Sequence, residues 1–400
     1  MKLLSLIVFL VVLSFFSCKQ ELPEEVQLAY NNLPEALDFN IHVRPILSDK
    51  CFLCHGPDKE KQQAGLRLDF AEFAYQKLQE SGKTAIVPGN LAKSEVFRRI
   101  LSDDPDILMP SPKSNLSLTD HEKAVLIRWI EEGAEYKPHW AYVKPEKPTV
   151  PHNSDNEWIT NPIDQFVLRR LNEHTLIPSP VADKETLLRR VSLDLTGLPP
   201  TKEEIDDYLN DTASNAYEKA VDRLMTSPHY GEKMAQDWVD LARFADTHGY
   251  SIDGFRDMSP WRDWVIKAFN ENLPYDQFLT WQLAGDLLEN PTRDQLIATG
   301  FNRLHPQNME GGIVPEEFRV EYVLDRTNTF GKAFMAQSLE CARCHDHKYD
   351  PVSQKEYYEL SSFFNNVNEA GQISYDAAMP VPTILLTSEE TDQTILYLQE

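Results

Sequence analysis

Cys51-Phe52-Leu53-Cys54-His55 and Cys341-Ala342-Arg343-Cys344-His345 are two copies of one pattern, C-x-x-C-H. With Cys18 they account for all five cysteines of the 400-residue chain. Five cysteines are too few to build a disulfide scaffold of this size. Two thiols about one helical turn apart can add to the two vinyl groups of a haem, and the adjacent histidine then reaches the iron as proximal ligand. Cys51, Cys54, Cys341 and Cys344 are therefore the candidate tethers for haem c, with His55 and His345 as axial ligands. Zinc would need the two pairs together, yet 286 residues lie between them, far from zinc-ribbon spacing. A thioredoxin-type C-x-x-C pair leaves both histidines unexplained, and neither pair follows a βαβ pattern. Structural disulfides at this spacing would staple very little chain.

The N-terminus points to export. After Met1-Lys2, an apolar run from Leu3 to Phe16 is broken only by Ser5 and Ser14, the length of a signal-peptide core and too short to span a bilayer comfortably. It ends at Ser17-Cys18, which resembles a bacterial lipoprotein signal with Cys18 as the lipidated mature N-terminus; the alternative is an ordinary secretory signal. Residues 19–38 read as a flexible tether. No other segment is apolar enough for a transmembrane helix, so membrane association is expected through the lipid alone. The expected location is the bacterial cell envelope, periplasmic or surface-facing.

Residues 39–136 read as one small helical domain. Phe39 to Leu47 forms an amphipathic lead-in to Cys51, and a Gly-, Pro- and charge-rich loop follows His55. Thr119-Asp120-His121-Glu122 is a capping box. It opens a helix with Val125, Leu126, Trp129 and Ile130 on its apolar face and Gly133 as its stop. Met109-Pro110 lies on the loop before that helix. A thioether there suits the distal position of a haem iron, and His/Met ligation raises the reduction potential; the alternative is that Met109 fills the core. His121, within the capping box, is expected in solvent.

Val43-Arg44-Pro45-Ile46-Leu47-Ser48-Asp49-Lys50 leading into Cys51, then His55-Gly56-Pro57 and Ala64-Gly65-Leu66-Arg67-Leu68-Asp69, resemble the planctomycete-type cytochrome c domain. Ile86-Val87-Pro88-Gly89-Asn90, Arg98-Arg99-Ile100 and Met109-Pro110 continue the resemblance, which implies a class I-like cytochrome c fold.

Residues 137–161, with Pro138, Pro145, Pro148 and Pro151, read as an extended linker in which His139 and Trp140 dock against a neighbour. From 162 to 370 helical spacing dominates and period-two alternation is scarce. The whole is therefore expected to be mainly α, a small cytochrome domain joined to a larger α-rich one that carries the second C-x-x-C-H. Thr201-Lys202-Glu203-Glu204 is a second capping box. Ser259-Pro260 opens a helix with Trp261, Trp264, Val265 and Ala268 on one face, after a helix with Trp238, Leu241, Ala242 and Ala245 on its own. Asp194-Leu195-Thr196-Gly197-Leu198-Pro199-Pro200, Pro260-Trp261-Arg262-Asp263-Trp264 and Cys344-His345-Asp346-His347-Lys348-Tyr349-Asp350-Pro351 resemble the uncharacterised domain that accompanies the planctomycete-type cytochrome. Members of that family commonly continue into a further C-terminal domain, so residues 371–400 read as the start of a truncated region.

For the second haem the distal ligand is open among His305, Met309, His248, Met258 and Met335, with His305 and Met309 ranked first. His345, Asp346, His347 and Asp350 could also hold a metal ion, or could hydrogen-bond around the haem edge. Glu310, beside Gly311-Gly312, is either an acid/base or a turn residue.

Against 39 basic residues stand 63 acidic ones, a formal charge of −24. Such a chain repels nucleic acid and favours a redox partner with a basic docking surface. Three functions follow: an envelope-anchored dihaem electron carrier; a haem oxidoreductase acting on extracellular carbohydrate, with the N-terminal cytochrome as electron outlet; or a lipoprotein binding module with one haem.

Overall fold

Helix-forming spacing is realised in most of the segments that carry it. The computed structural model describes residues 21–58, 60–78, 81–152, 157–348, 350–374 and 380–399, and among these there are 17 α-helices and no strand. The mainly α reading therefore holds. No helix among the described residues is long and apolar enough to cross a membrane. The signal-like run and Cys18 lie outside the described residues.

The chain divides into two compact units. Residues up to Glu146 form one together with Cys341–Lys355; Lys147–Glu340 and the chain from Glu356 form the other. Cys341 and Cys344, expected in the second domain, thus belong to the first unit.

In the first unit the helices are α1 (Glu24–Asn31), α2 (Arg44–Lys50), α3 (Phe52–His55), α4 (Ala71–Ala74), α5 (Glu95–Ile100) and α6 (Asp120–Glu131). The α6 capping box forms as its sequence predicts, Glu122 N donating to Thr119 Oγ1 at 3.2 Å and Thr119 N to Glu122 Oε2 at 2.7 Å. Val125, Leu126, Trp129 and Ile130 are buried, as are Ala124 and Ile127. An aromatic box closes the core: the Phe39 ring lies 4.9 Å and the Trp129 ring 5.2 Å from that of Tyr136. Tyr136 Oη donates to the Leu68 carbonyl at 3.0 Å, tying the C-terminal end of the domain to the segment after the first motif.

One expectation is corrected here. Residues 19–38 are not a tether throughout, because α1 packs on α6. Val26 and Leu33 are buried in the core, Tyr30 Oη donates to Glu131 at 2.5 Å, and Arg128 holds the Pro34 and Glu35 carbonyls at 2.8 and 2.6 Å. Val26 on α1 and Leu33 just beyond it bury enough apolar surface to outweigh the acidic surroundings.

The second unit contains α7 (Pro162–Glu173), α8 (Lys184–Thr196), α9 (Lys202–Asn210), α10 (Ala216–Met225), α11 (Pro228–Leu241), α12 (Ser259–Asn270), α13 (Tyr275–Ala284), α14 (Arg293–Ala298) and α15 (Pro315–Met335). Beyond the second C-x-x-C-H, α16 (Gln354–Ser361) and α17 (Glu389–Gln399) follow. Leu188, Val191, Tyr208 and Leu224 close a core among α8–α10, and Trp261, Trp264, Phe278 and Phe301 close a larger one. On the α11 face Ala242 is buried but Leu241 is 41% exposed, one position off the expected stripe. Gly231 lets α11 approach α12, since a Cβ there would lie 2.5 Å from the Ile266 carbonyl and the Asn270 side chain.

Candidate haem-attachment turns

The first motif occupies one helical turn. The N–H groups of Cys54 and His55 both donate to the Cys51 carbonyl, at 3.2 and 2.8 Å. The chain then folds back over the turn: Gln63 N donates to the Cys54 carbonyl at 2.9 Å and Leu68 N to the His55 carbonyl at 2.8 Å. Gly56 permits this reversal, because a Cβ at that position would lie 2.4 Å from the Phe52 carbonyl. Cys51 and Cys54 are free, half-buried thiols, and burial, with Cys54 and Glu122 nearby, pushes the Cys51 thiol up to about 12.

Burial lowers the pKa of His55; the carbonyls of Leu66 and Gln63 oppose that shift and the charge of Arg99 adds to it. The ring is thereby favoured in its neutral form, the form in which imidazole binds a metal, and its buried Nδ1 has no hydrogen-bond partner. Arg99 also serves Met109: its carbonyl accepts from Met109 N at 3.1 Å, while its Nε lies 3.1 Å from Glu95 Oε1. Glu95 is held down to about 2 by hydrogen bonds from Arg98 and Lys83 that exceed its burial penalty. One ionic cluster on α5 thus fixes the loop of the half-buried Met109. His121 is exposed, as expected.

The second motif repeats the turn. Cys344 N and His345 N donate to the Cys341 carbonyl at 3.3 and 3.4 Å. Its thiols are free and exposed. His345 Nδ1 lies 2.8 Å from the Asp346 carbonyl. A carbonyl only accepts, so Nδ1 carries the proton and Nε2 is left with the lone pair, the tautomer of a metal-ligating histidine oriented by its backbone.

The residues after His345 shape their own loop. Asp346 Oδ1 accepts from Gln354 N at 2.9 Å, at the start of α16. Asp350 N donates to His347 Nδ1 at 2.9 Å, and His347 is buried. The Asp350 carboxylate also faces His139, 3.6 Å from its Nε2. Arg44 and Arg67 feel the charges of Asp350 and Asp346 respectively, so opposite charges hold this loop within the first unit. Among the described residues no group of three or more His, Cys, Asp or Glu could hold a metal ion. Asp346 and Asp350 both help to hold this loop.

The distal candidates ranked for the second haem fall in the second unit. His305 is fully buried, with Nε2 3.4 Å from Glu369, Arg326 beside both ring nitrogens and the Tyr322 ring 4.7 Å away. Burial holds its pKa down at about 3. These contacts give the ring a place in an ionic cluster. The sulfur of Met309 packs toward Gly254, His248 lies in the buried core of the unit, Met258 precedes α12, and Met335 is 43% exposed at the end of α15.

What points to a c-type cytochrome domain, a class that transfers electrons, is a family match around the first turn. Residues 51–113 match the family model described as planctomycete cytochrome C, and residues 162–369 match the one described as a protein of unknown function, DUF1549. The second match spans more than half of the chain, which belongs to that family. No curated protein and no solved structure matches the chain.

Proposed function

We propose that the chain is an exported, envelope-anchored dihaem cytochrome that relays electrons to or from an oxidoreductase partner. Cys51, Cys54 and His55 would hold one haem with Met109 as distal ligand, and Cys341, Cys344 and His345 the other; Cys18 would carry the lipid. When bound, haem supplies reversible one-electron exchange at its iron. The observation that carries the reading is that in both C-x-x-C-H turns the second cysteine and the histidine donate to the first cysteine's carbonyl, and that both turns belong to one compact unit. The charge of −24 suits a partner with a basic docking surface, with association that weakens as salt rises.

A second reading draws on the buried polar side chains around His305 and Glu310: a haem oxidoreductase acting on extracellular carbohydrate, with the first unit as electron outlet. Potentiometric titration of the holoprotein separates the readings. Two electrons per chain, with no response to carbon monoxide or cyanide, support the relay. Ligand binding by a high-spin second haem favours the enzyme. A single electron leaves a one-haem binding module, and none overturns the cytochrome reading.

A further inference from the structure

In the second unit, six buried side-chain atoms on neighbouring residues lack hydrogen-bond partners: Arg243 Nε, His248 Nδ1, Arg256 Nε, Gln307 Nε2, Asn308 Nδ2 and Glu310 Oε1. His248, Gln307 and Asn308 are 6%, 1% and 1% exposed. Backbone bonds assemble the group. Gln307 N donates to the His248 carbonyl at 2.8 Å, and Arg256 Nη1 donates to the His305 carbonyl at 3.0 Å and to Gln307 Oε1 at 3.3 Å. Arg243, ion-paired with Asp325 of α15, lies close enough to Arg256 for the two charges to oppose each other, and Tyr250 feels both Asp325 and Glu310. Both amides have fixed orientations, because Asn308 Oδ1 accepts from Glu310 N at 2.7 Å and Gln307 Oε1 accepts from Arg256.

A buried donor left unmade is costly, so a concentration of them marks a place where something else supplies the acceptors. Four of the six atoms are N–H donors, two of them on guanidinium groups, which calls for several acceptor oxygens and favours anionic ones. Glu310 Oε1 accepts only and calls for a hydroxyl; His248 Nδ1 can take either role.

We infer that this cluster is a binding site for a small solute bearing a carboxylate beside hydroxyl groups, the chemistry of a sugar acid. The carboxylate oxygens would accept from the guanidinium and amide donors, and a hydroxyl would donate to Glu310. The site lies wholly in the second unit and requires no haem.

Isothermal calorimetry on the full chain at constant ionic strength tests this with D-gluconate, D-glucuronate, acetate and D-glucose. One or both sugar acids should bind more tightly than acetate or glucose. Asn308→Asp and Gln307→Glu keep the accepting oxygen each amide uses and turn its free donor into an acceptor. Each should weaken binding about tenfold or more while leaving the far-UV circular dichroism unchanged. The inference is overturned if no solute binds, which would leave internal water as the occupant, if glucose or acetate binds as tightly as the acids, or if neither substitution weakens binding.

Discussion

At the first C-x-x-C-H turn the thiols are half-buried, His55 lies under a returning chain, and α5 and α6 pack close by. At the second the thiols are exposed, and opposite charges hold the loop beyond. The hydrogen bonds that set the turn are the same in both. The comparison teaches that the C-x-x-C-H turn is a local device, written in five residues, whereas the surround that would tune a bound haem comes from elsewhere in the fold. An apolar surround with a methionine raises a reduction potential, and an open, wet surround leaves it lower. The two sites are accordingly expected to differ in potential, the first being the higher.

The largest effect should come from the first surround. Trp129→Ala removes a buried ring from the aromatic box and should lower the stability of the first unit by about 3–5 kcal/mol in denaturant melts followed by circular dichroism. A loss below about 1 kcal/mol would break the contrast between a packed and an open site. Next, Met109→Ala should abolish the methionine–iron absorption band and lower one potential while leaving the other in place. If both potentials stay put, Met109 is a core filler.

Acid should act on the second unit through His305, which Glu369, Arg326, Arg303 and Tyr322 surround. Its folded pKa of about 3 lies below the unfolded value near 6.5, so the unfolded chain binds the extra proton. Stability is therefore full above about 6.5 and falls as the pH drops toward 3. Glu369, depressed to about 2 because His305 and Arg326 outweigh its burial, adds a further loss below about 4.5. Melting temperatures between pH 7 and pH 4 check the sign; a rise on acidification would contradict it. Asp350→Asn, which weakens the contacts to His139 and His347, should cost at most about 1 kcal/mol. Thr119→Ala, which removes the α6 cap, should cost about 1 kcal/mol.

Much of this was legible in the sequence because it is written locally. The capping boxes at Thr119 and Thr201, the buried faces of α6 and α12, and the two C-x-x-C-H turns depend on residues within a few positions of one another. Pairings between distant residues were not legible. The loop after Cys344 joins the first unit through Asp346 and Asp350, whose partners Arg67, Arg44 and His139 lie hundreds of residues away, and no periodicity reports such a pairing. For the same reason the sequence offers His305 as a haem-ligand candidate and gives no sign that Glu369 and Arg326 hold it. One signal was available: Arg326 sits in an apolar slot of α15, between the buried Val323 and Thr327, and an arginine there has to find a buried partner.

Counting covalent haem per chain by pyridine haemochrome absorbance tests the central claim most directly, on protein made in a host with c-type haem maturation. The wild-type chain should carry two, a Cys51→Ala/Cys54→Ala variant one, and a Cys341→Ala/Cys344→Ala variant one. A wild-type count of one, unchanged by the second variant, would contradict the dihaem account; a count of zero would contradict haem attachment at either turn.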